Sequence, residues 1–314
     1  MNGLELSRGY YETYGRPMLE KDFADLLPFL AVGFVGSGSE HFGFDDDISR
    51  DHDFEPGFCI FLPGEDVVDR RQAFRLERAY AKLPKEYGGV KRQSVSPVGG
   101  NRNGVLRTAE FYLAAVGAED GELPLDGWLH IPDYALAEAT NGEVFYDGYG
   151  EFSRIRQSLL EMPEDIRLKR LAGNLLIMAQ AGQYNFVRCL RHGEPEAAQL
   201  ACVEFVEAAL KAEFLLQRKY LPFYKWSFRA LRELENTLTL SGQLAFLLSG
   251  NNADDATAEE KYSTIEAVCG DFVEKLQNEN LTQAICGDLE KHAYSVNDRI
   301  RDNGIRTMNI LTAI

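Results

Sequence analysis

Near residue 150 the chain changes character. Up to about Val144 short apolar runs are punctuated by Gly and Pro, whereas beyond about Ser153 apolar residues recur at helical spacing over long stretches with few breakers. Short runs bounded by turn residues make the strands of a small sheet, and long periodic stretches make helices that bury one another. The expectation is an α+β protein of two domains: a mixed sheet with flanking helices over residues 1–150 and an all-helical bundle over 151–314. A length of 314 residues is enough for both to bury a core.

In the front half, GLELSRGYYETYG and MLEKDFADLL read as helices, and FLAVGFVG and FEPGFCIFLP as buried strands rich in aromatic and β-branched residues. A helix from about Val67 to Lys82 follows, then a short strand around GVKRQSV. In the back half, ATAEEKYSTIEAVCGDFVEKLQ is a helix whose Thr257 and Glu260 match a capping box, with Ile265, Val268, Cys269, Phe272, Val273 and Leu276 on one stripe. EPEAAQLACVEFVEAALKAEFLLQRKY is apolar over more than half its circumference, as expected of a helix central to a bundle.

Charge and cysteine usage exclude several classes. The most apolar window, FADLLPFLAVGFVG, is broken by Asp25 and Pro28, short of the ~18 apolar residues a membrane span needs. With no basic-then-apolar signal pattern at its start, the chain is expected in the cytoplasm. Cys59, Cys189, Cys202, Cys269 and Cys286 are odd in number and widely spaced, which fits buried apolar side chains better than disulfides or a zinc site. A net charge of −16 disfavours indiscriminate binding to a phosphate backbone and attracts cations.

Between Gly36 and Phe61 stand five Asp, two Glu and five Phe. Familiar Gly- and Asp-rich motifs fail there by position. A dinucleotide fingerprint from Gly36 needs Gly where His41 stands, and a P-loop from Gly38 finds Phe44 and Asp45 in place of Lys and Ser/Thr. An EF-hand loop from Asp45 or Asp47 meets Arg50 and Pro56, or His52 and Phe58, at its sixth and twelfth positions. What remains is a buried strand ending at Gly36-Ser37, then Asp51-His52-Asp53 leading into a second strand. Residues i and i+2 of a strand share a face, so the carboxylates of Asp51 and Asp53 can converge on Mg²⁺ while His52 faces the other way. Gly36 permits close approach of a phosphate, and Ser37 can donate to its oxygens. Asp45, Asp46 and Asp47 read as capping, turn or supporting residues.

Gly36-Ser37 followed after thirteen residues by Asp51-x-Asp53 resembles the signature of the nucleotidyltransferase superfamily of polymerase-beta type. With NGEVFYDGYGEFSRIR and YLPFYKW further on, the chain looks like a branch of that superfamily described only as a domain of unknown function. The resemblance implies a Mg²⁺-dependent transfer of a nucleoside monophosphate from an NTP to a hydroxyl-bearing acceptor, with Asp51 and Asp53 as metal ligands and Gly36 and Ser37 on the phosphates. It also implies an acceptor toward the helical half, as in aminoglycoside-modifying relatives; the acidic composition suits a cationic small molecule there.

Active members use a third carboxylate on a later strand. The expected strand, GVKRQSV, carries Lys91 and Arg92 instead. Glu86, Glu110, Asp126 and Glu143 are the substitutes, while Lys91 and Arg92, with Arg102 and Arg107, can clamp triphosphate charge. The alternative reading is a nucleotide-binding sensor or interaction protein that kept the phosphate cradle and lost the base. In the helical half Tyr184, Asn185 and Arg188, and Lys219, Tyr220, Tyr224, Lys225 and Trp226, bring aromatics and cations together as core or as a cleft lining.

Overall fold

The computed structural model describes residues 1–48, 54–92 and 103–314. The chain is α+β and divides into two compact units: residues 1–124 with 131–161, and residues 125–130 with 162–314.

The first unit is a mixed four-stranded sheet covered by helices on both faces. Its helices are α1 (Gly3–Tyr10), α2 (Arg16–Asp22), α3 (Arg70–Ala81) and α4 (Thr108–Val116), then, beyond α5 (Leu125–His130), which belongs to the second unit, α6 (Asp133–Thr140) and α7 (Glu151–Leu160). The strands β1 (Ala31–Phe34), β2 (Cys59–Leu62), β5 (Gly104–Arg107) and β6 (Glu143–Asp147) lie in the order β5-β2-β1-β6. A separate hairpin holds β3 (Glu86–Tyr87) and β4 (Val90–Lys91). β1 is antiparallel to both its neighbours, and β2 runs parallel to β5.

Every residue of β1 and β2 is buried. Val32, Ile60 and Leu62 join Tyr10, Leu19, Leu76 and Tyr80 in one core on the α1–α3 face. On the opposite face Phe61 stacks on Phe152 of α7 with ring centroids 4.1 Å apart and meets Phe111 of α4 edge-on at 5.2 Å. Burial on both faces is why these strands read as unbroken apolar runs without alternation. It also keeps α7 with the first unit, eleven residues past the composition shift at 150.

Two sequence expectations change. GVKRQSV is expected to supply a strand of the sheet, but among the described residues Val90 and Lys91 pair with Tyr87 and Glu86 in the hairpin, and residues 93–102 lie outside the described residues. The strand beside β2 is β5, with sequence GVLR and no acid. Its Val105 packs against the α1–α3 core, an advantage that an exposed Lys91 cannot supply. Helix MLEKDFADLL ends at Asp22, where Phe23 leaves the helical region, and Leu27–Phe29 form a separate short 3-10 helix.

The second unit is helical. After α5 come α8 (Glu164–Met178), a π-helical segment Ala179–Phe186, α9 (Val187–Arg191), α10 (Pro195–Leu216), α11 (Tyr224–Glu233), α12 (Leu238–Ser249), α13 (Asp255–Asn278), α14 (Leu289–Asn297) and α15 (Asn303–Thr307). α10 is central, burying Ala198, Cys202, Phe205, Ala209 and Ala212 against α8 and α12. The expected stripe of α13 is buried apart from half-buried Val273, but its start lies further upstream than expected. Asp254 is the cap, accepting from the Thr257 N–H at 3.2 Å and from its hydroxyl, so Thr257 is inside the helix. A carboxylate facing the helix N-terminus is the better acceptor there. No described helix is long and apolar enough to cross a membrane.

The bundle interior holds charges on short leashes. Lys261 is fully buried and donates to Gln199 Oε1 and Asn252 Oδ1, both at 2.8 Å; burial pulls its pKa down. Glu213, only 1% exposed, takes Lys275 Nζ at 2.6 Å and Gln217 Nε2 at 2.8 Å. Lys275→Met strands that carboxylate and is expected to cost about 3 kcal/mol in urea unfolding; an unchanged midpoint would show that Glu213 finds another partner. Glu164 is held down to about 2 by hydrogen bonds from Arg167 and then Arg218, against burial that raises it. A depressed carboxylate stabilises the fold above its ordinary value of 4.5 and loses that contribution as pH falls toward 2. Glu164→Gln should therefore flatten the acid limb of the stability profile between those two pH values, measured by thermal melts.

Candidate functional site

The four strands present one common end. β1 runs toward it and stops at Phe34, while β2, β5 and β6 all start there, through the register pairs Gly33↔Cys59, Cys59↔Gly104 and Phe34↔Glu143. At this end β1 and β6 slip register between Val32 and Gly33. A Cβ on Gly33 would lie 2.7 Å from the Glu143 carbonyl oxygen, so only glycine admits that approach.

Gly36 follows the end of β1 with φ +129°, a conformation that L side chains rarely adopt. The amide of Asn141, directly after α6, grips it from both sides: the Gly36 N–H donates to Asn141 Oδ1 at 2.9 Å, and Asn141 Nδ2 donates to the Gly36 carbonyl at 2.7 Å. The Gly36 N–H is thus spent inside the protein. Ser37 is exposed, and its hydroxyl makes no hydrogen bond with a described residue. Arg156 of α7 supports the clamp, Nη2 donating to the carbonyls of Asn141 at 3.2 Å and Gly142 at 3.5 Å. Its Nε is buried without a hydrogen-bond partner among the described residues, and burial lowers its pKa.

The acidic stretch divides by role. Asp45 accepts from the Gly3 N–H through both oxygens, at 3.1 and 3.2 Å, holding the N-terminus of α1. Asp46 accepts from Ile48 N–H in a tight turn. Glu40 is buried against Gly3, and His41 stacks on Phe34 with centroids 4.0 Å apart. The capping and turn reading of Asp45 and Asp46 matches these contacts. Asp51, His52, Asp53 and Arg102 lie outside the described residues.

Of the expected clamp residues Lys91 and Arg92, Arg92 reaches the common end and Lys91 does not. Arg92 donates to the Pro56 carbonyl at 3.3 Å and to Tyr10 Oη at 2.9 Å, and its guanidinium lies over the rings of Tyr80 and Tyr10, at 4.9 and 5.4 Å. These contacts fix the approach to β2, where Tyr80 Oη also bridges the N–H and carbonyl of Phe58. Lys91 points to solvent beside Glu86, 3.9 Å away. Arg107 is spent on the carbonyls of Pro63 and Val68.

Glu143 is the one substitute acid at the common end. It opens β6 beside Phe34 and pairs with Arg8 of α1, whose guanidinium also lies 5.9 Å from the Phe145 ring centre. Glu86 and Glu110 are exposed elsewhere in the first unit, and Asp126 is exposed on α5 of the second. Asn141, Arg156 and Arg8, the partner of Glu143, were not among the expected site residues. Asn141-Gly142 after ALAEAT is a helix-stop signal, but its partner 105 positions away leaves no local trace. Among the described residues, no group of three or more His, Cys, Asp or Glu is arranged to hold a metal. In the second unit Tyr184 and Asn185 line a cavity of about 730 Å³ with Gln183, Glu266 and Asp288, and Arg188 Nη1 donates to Tyr184 Oη at 3.1 Å.

A family model described as a domain of unknown function (DUF4037) matches residues 128–227, about a third of the chain. The match takes in Asn141, Glu143 and Arg156 but neither Gly36-Ser37 nor Asp51 and Asp53. No curated protein matches the chain.

Asn141→Ala removes both restraints on Gly36 and is expected to cost about 2 kcal/mol in urea unfolding. It should also speed hydrogen exchange at the Gly36 amide by at least tenfold; an unaltered exchange rate would show that the clamp does not hold this turn.

Proposed function

We propose that the chain is a Mg²⁺-dependent nucleotidyltransferase that moves a nucleoside monophosphate from an NTP to a hydroxyl-bearing acceptor. The observation that carries this reading is the antiparallel β1/β2 pairing: Gly36-Ser37 leaves the sheet at the same end at which the segment following Asp51 and Asp53 enters it. That is the juxtaposition a metal-bound triphosphate requires.

Asp51 and Asp53 would hold Mg²⁺, which when bound supplies charge neutralisation at the phosphates. The donor types fit, since carboxylate oxygens are the ligands that ion takes. Ser37 offers a hydroxyl donor to the phosphate tail, a role the Gly36 N–H cannot share while Asn141 occupies it. The acceptor oxygen attacks the α-phosphorus, the bond to the pyrophosphate oxygen breaks, and the acceptor proton passes to a carboxylate or to solvent. Catalysis then rests on positioning and charge, and the rigid end of a buried sheet suits both.

The second reading, nucleotide binding without efficient transfer, is favoured by the Arg8–Glu143 pair. Of the substitute acids, the one at this end is engaged by a guanidinium instead of standing open to an acceptor hydroxyl.

Incubation with Mg²⁺ and α-labelled NTPs over an acceptor panel separates the two. Label transfer with pyrophosphate release, lost in Asp51→Asn/Asp53→Asn, is the outcome expected of the transferase. Mg²⁺-dependent NTP binding without turnover selects the second reading, and absence of NTP binding removes both.

A further inference from the structure

Helix α3 carries a row of exposed cations. Residues 70–85 hold Arg70, Arg71, Arg75, Arg78, Lys82 and Lys85 against the single acid Glu77, in a chain whose net charge is −16. Arg71, Arg75, Arg78 and Lys82 recur at intervals of four, three and four, so they fall on one stripe of the helix. The buried residues Ala73, Leu76 and Tyr80 occupy the opposite side, which turns the stripe to solvent. None of the four makes an ion pair with a described residue, whereas Arg70 nearby is paired with Glu65.

The row is flanked by apolar surface on both sides. On one lies Phe74, 57% exposed, with the Arg78 guanidinium 5.9 Å from its ring centre. On the other is a groove of about 600 Å³ lined by Arg75, Arg78 and Lys82 above Phe23 and Leu83, with Asp22 at its rim and Arg75 lying 5.4 Å over the Phe23 ring. None of these residues belongs to the common end of the sheet.

We infer that this face of α3 binds single-stranded nucleic acid, its phosphates along Arg71, Arg75, Arg78 and Lys82 and a base against Phe74. The stripe spans about 16 Å at 1.5 Å per residue. That length suits a run of three or four phosphates better than one triphosphate. Three of the four cations are arginines, whose planar forks match phosphate oxygens and which stack on rings. An exposed aromatic beside a cation row is the arrangement that accepts any base by stacking. The overall negative charge does not oppose this, because screening confines the field to about 10 Å at 0.1 M salt and the local balance governs contact.

The full-length protein is titrated against a 5′-labelled 12-nucleotide oligouridine by fluorescence anisotropy from 50 to 300 mM salt. Four phosphate contacts predict a log K against log salt slope of about −3. Arg71→Ala/Arg75→Ala/Arg78→Ala/Lys82→Ala should abolish binding while leaving the urea midpoint nearly unchanged, since all four side chains are exposed. Phe74→Ala should weaken binding about tenfold without changing the slope. Asp51→Asn/Asp53→Asn should bind as the parent does, so failure here and failure of the nucleotidyltransferase reading are told apart. No binding at 50 mM salt, full binding by the quadruple variant, or equally effective displacement by polyglutamate would each overturn the inference.

Discussion

β1 has no free side. Every residue of it is buried and the neighbour at each edge runs antiparallel to it, so each peptide group along it must find a partner inside the protein. The need continues past the last ladder bond. Where the strand stops, the Gly36 peptide would otherwise be left unpaired, and the side-chain amide of Asn141 supplies both a donor and an acceptor. Arg156 in turn satisfies the carbonyl of Asn141. Much of the architecture around the common end follows from closing this one strand without an orphaned polar group.

The same logic runs through the approach to β2. Arg92 is the hub of a polar cluster in which the Pro56 carbonyl, Tyr10 Oη and two aromatic rings share one guanidinium. Burial pushes the Tyr10 and Tyr80 hydroxyls up against the pull of that cation, so both stay protonated and able to donate, Tyr80 to the Phe58 carbonyl and Tyr10 to that of Pro84. A residue expected to meet a ligand's charge thus does structural work next to the segment that would hold the ligand. The helical unit shows the parallel solution for buried cations: Lys169 and Lys261 meet side-chain amides and a carbonyl, and Arg167 meets the Leu215 carbonyl and Glu164.

Local pattern was enough for the parts whose partners are close in sequence. The apolar runs became β1 and β2, the period of 3.6 became α3, α10 and α13, and the acids after Gly43 became a cap and a turn. Pattern failed where energy comes from distant neighbours. GVKRQSV has strand-like residues, yet GVLR took the place beside β2 because the side chain of Val105 completes the core under α3. Thr257 and Glu260 have the spacing of a capping box, but Asp254, three positions earlier, offered a charged acceptor and lengthened the helix.

By itself the sequence determined that this is an α+β chain with a helical C-terminal region, and that Gly36-Ser37 closes a buried strand. These depend on hydrophobic period and on glycine's freedom, which are properties of neighbouring residues. Only the tertiary structure decided that Asn141 would hold Gly36 and that Glu143 would stand at the same end paired with Arg8. Each is a pairing across tens of residues, set by strand order and by which helix covers which face, and no local periodicity encodes such distances.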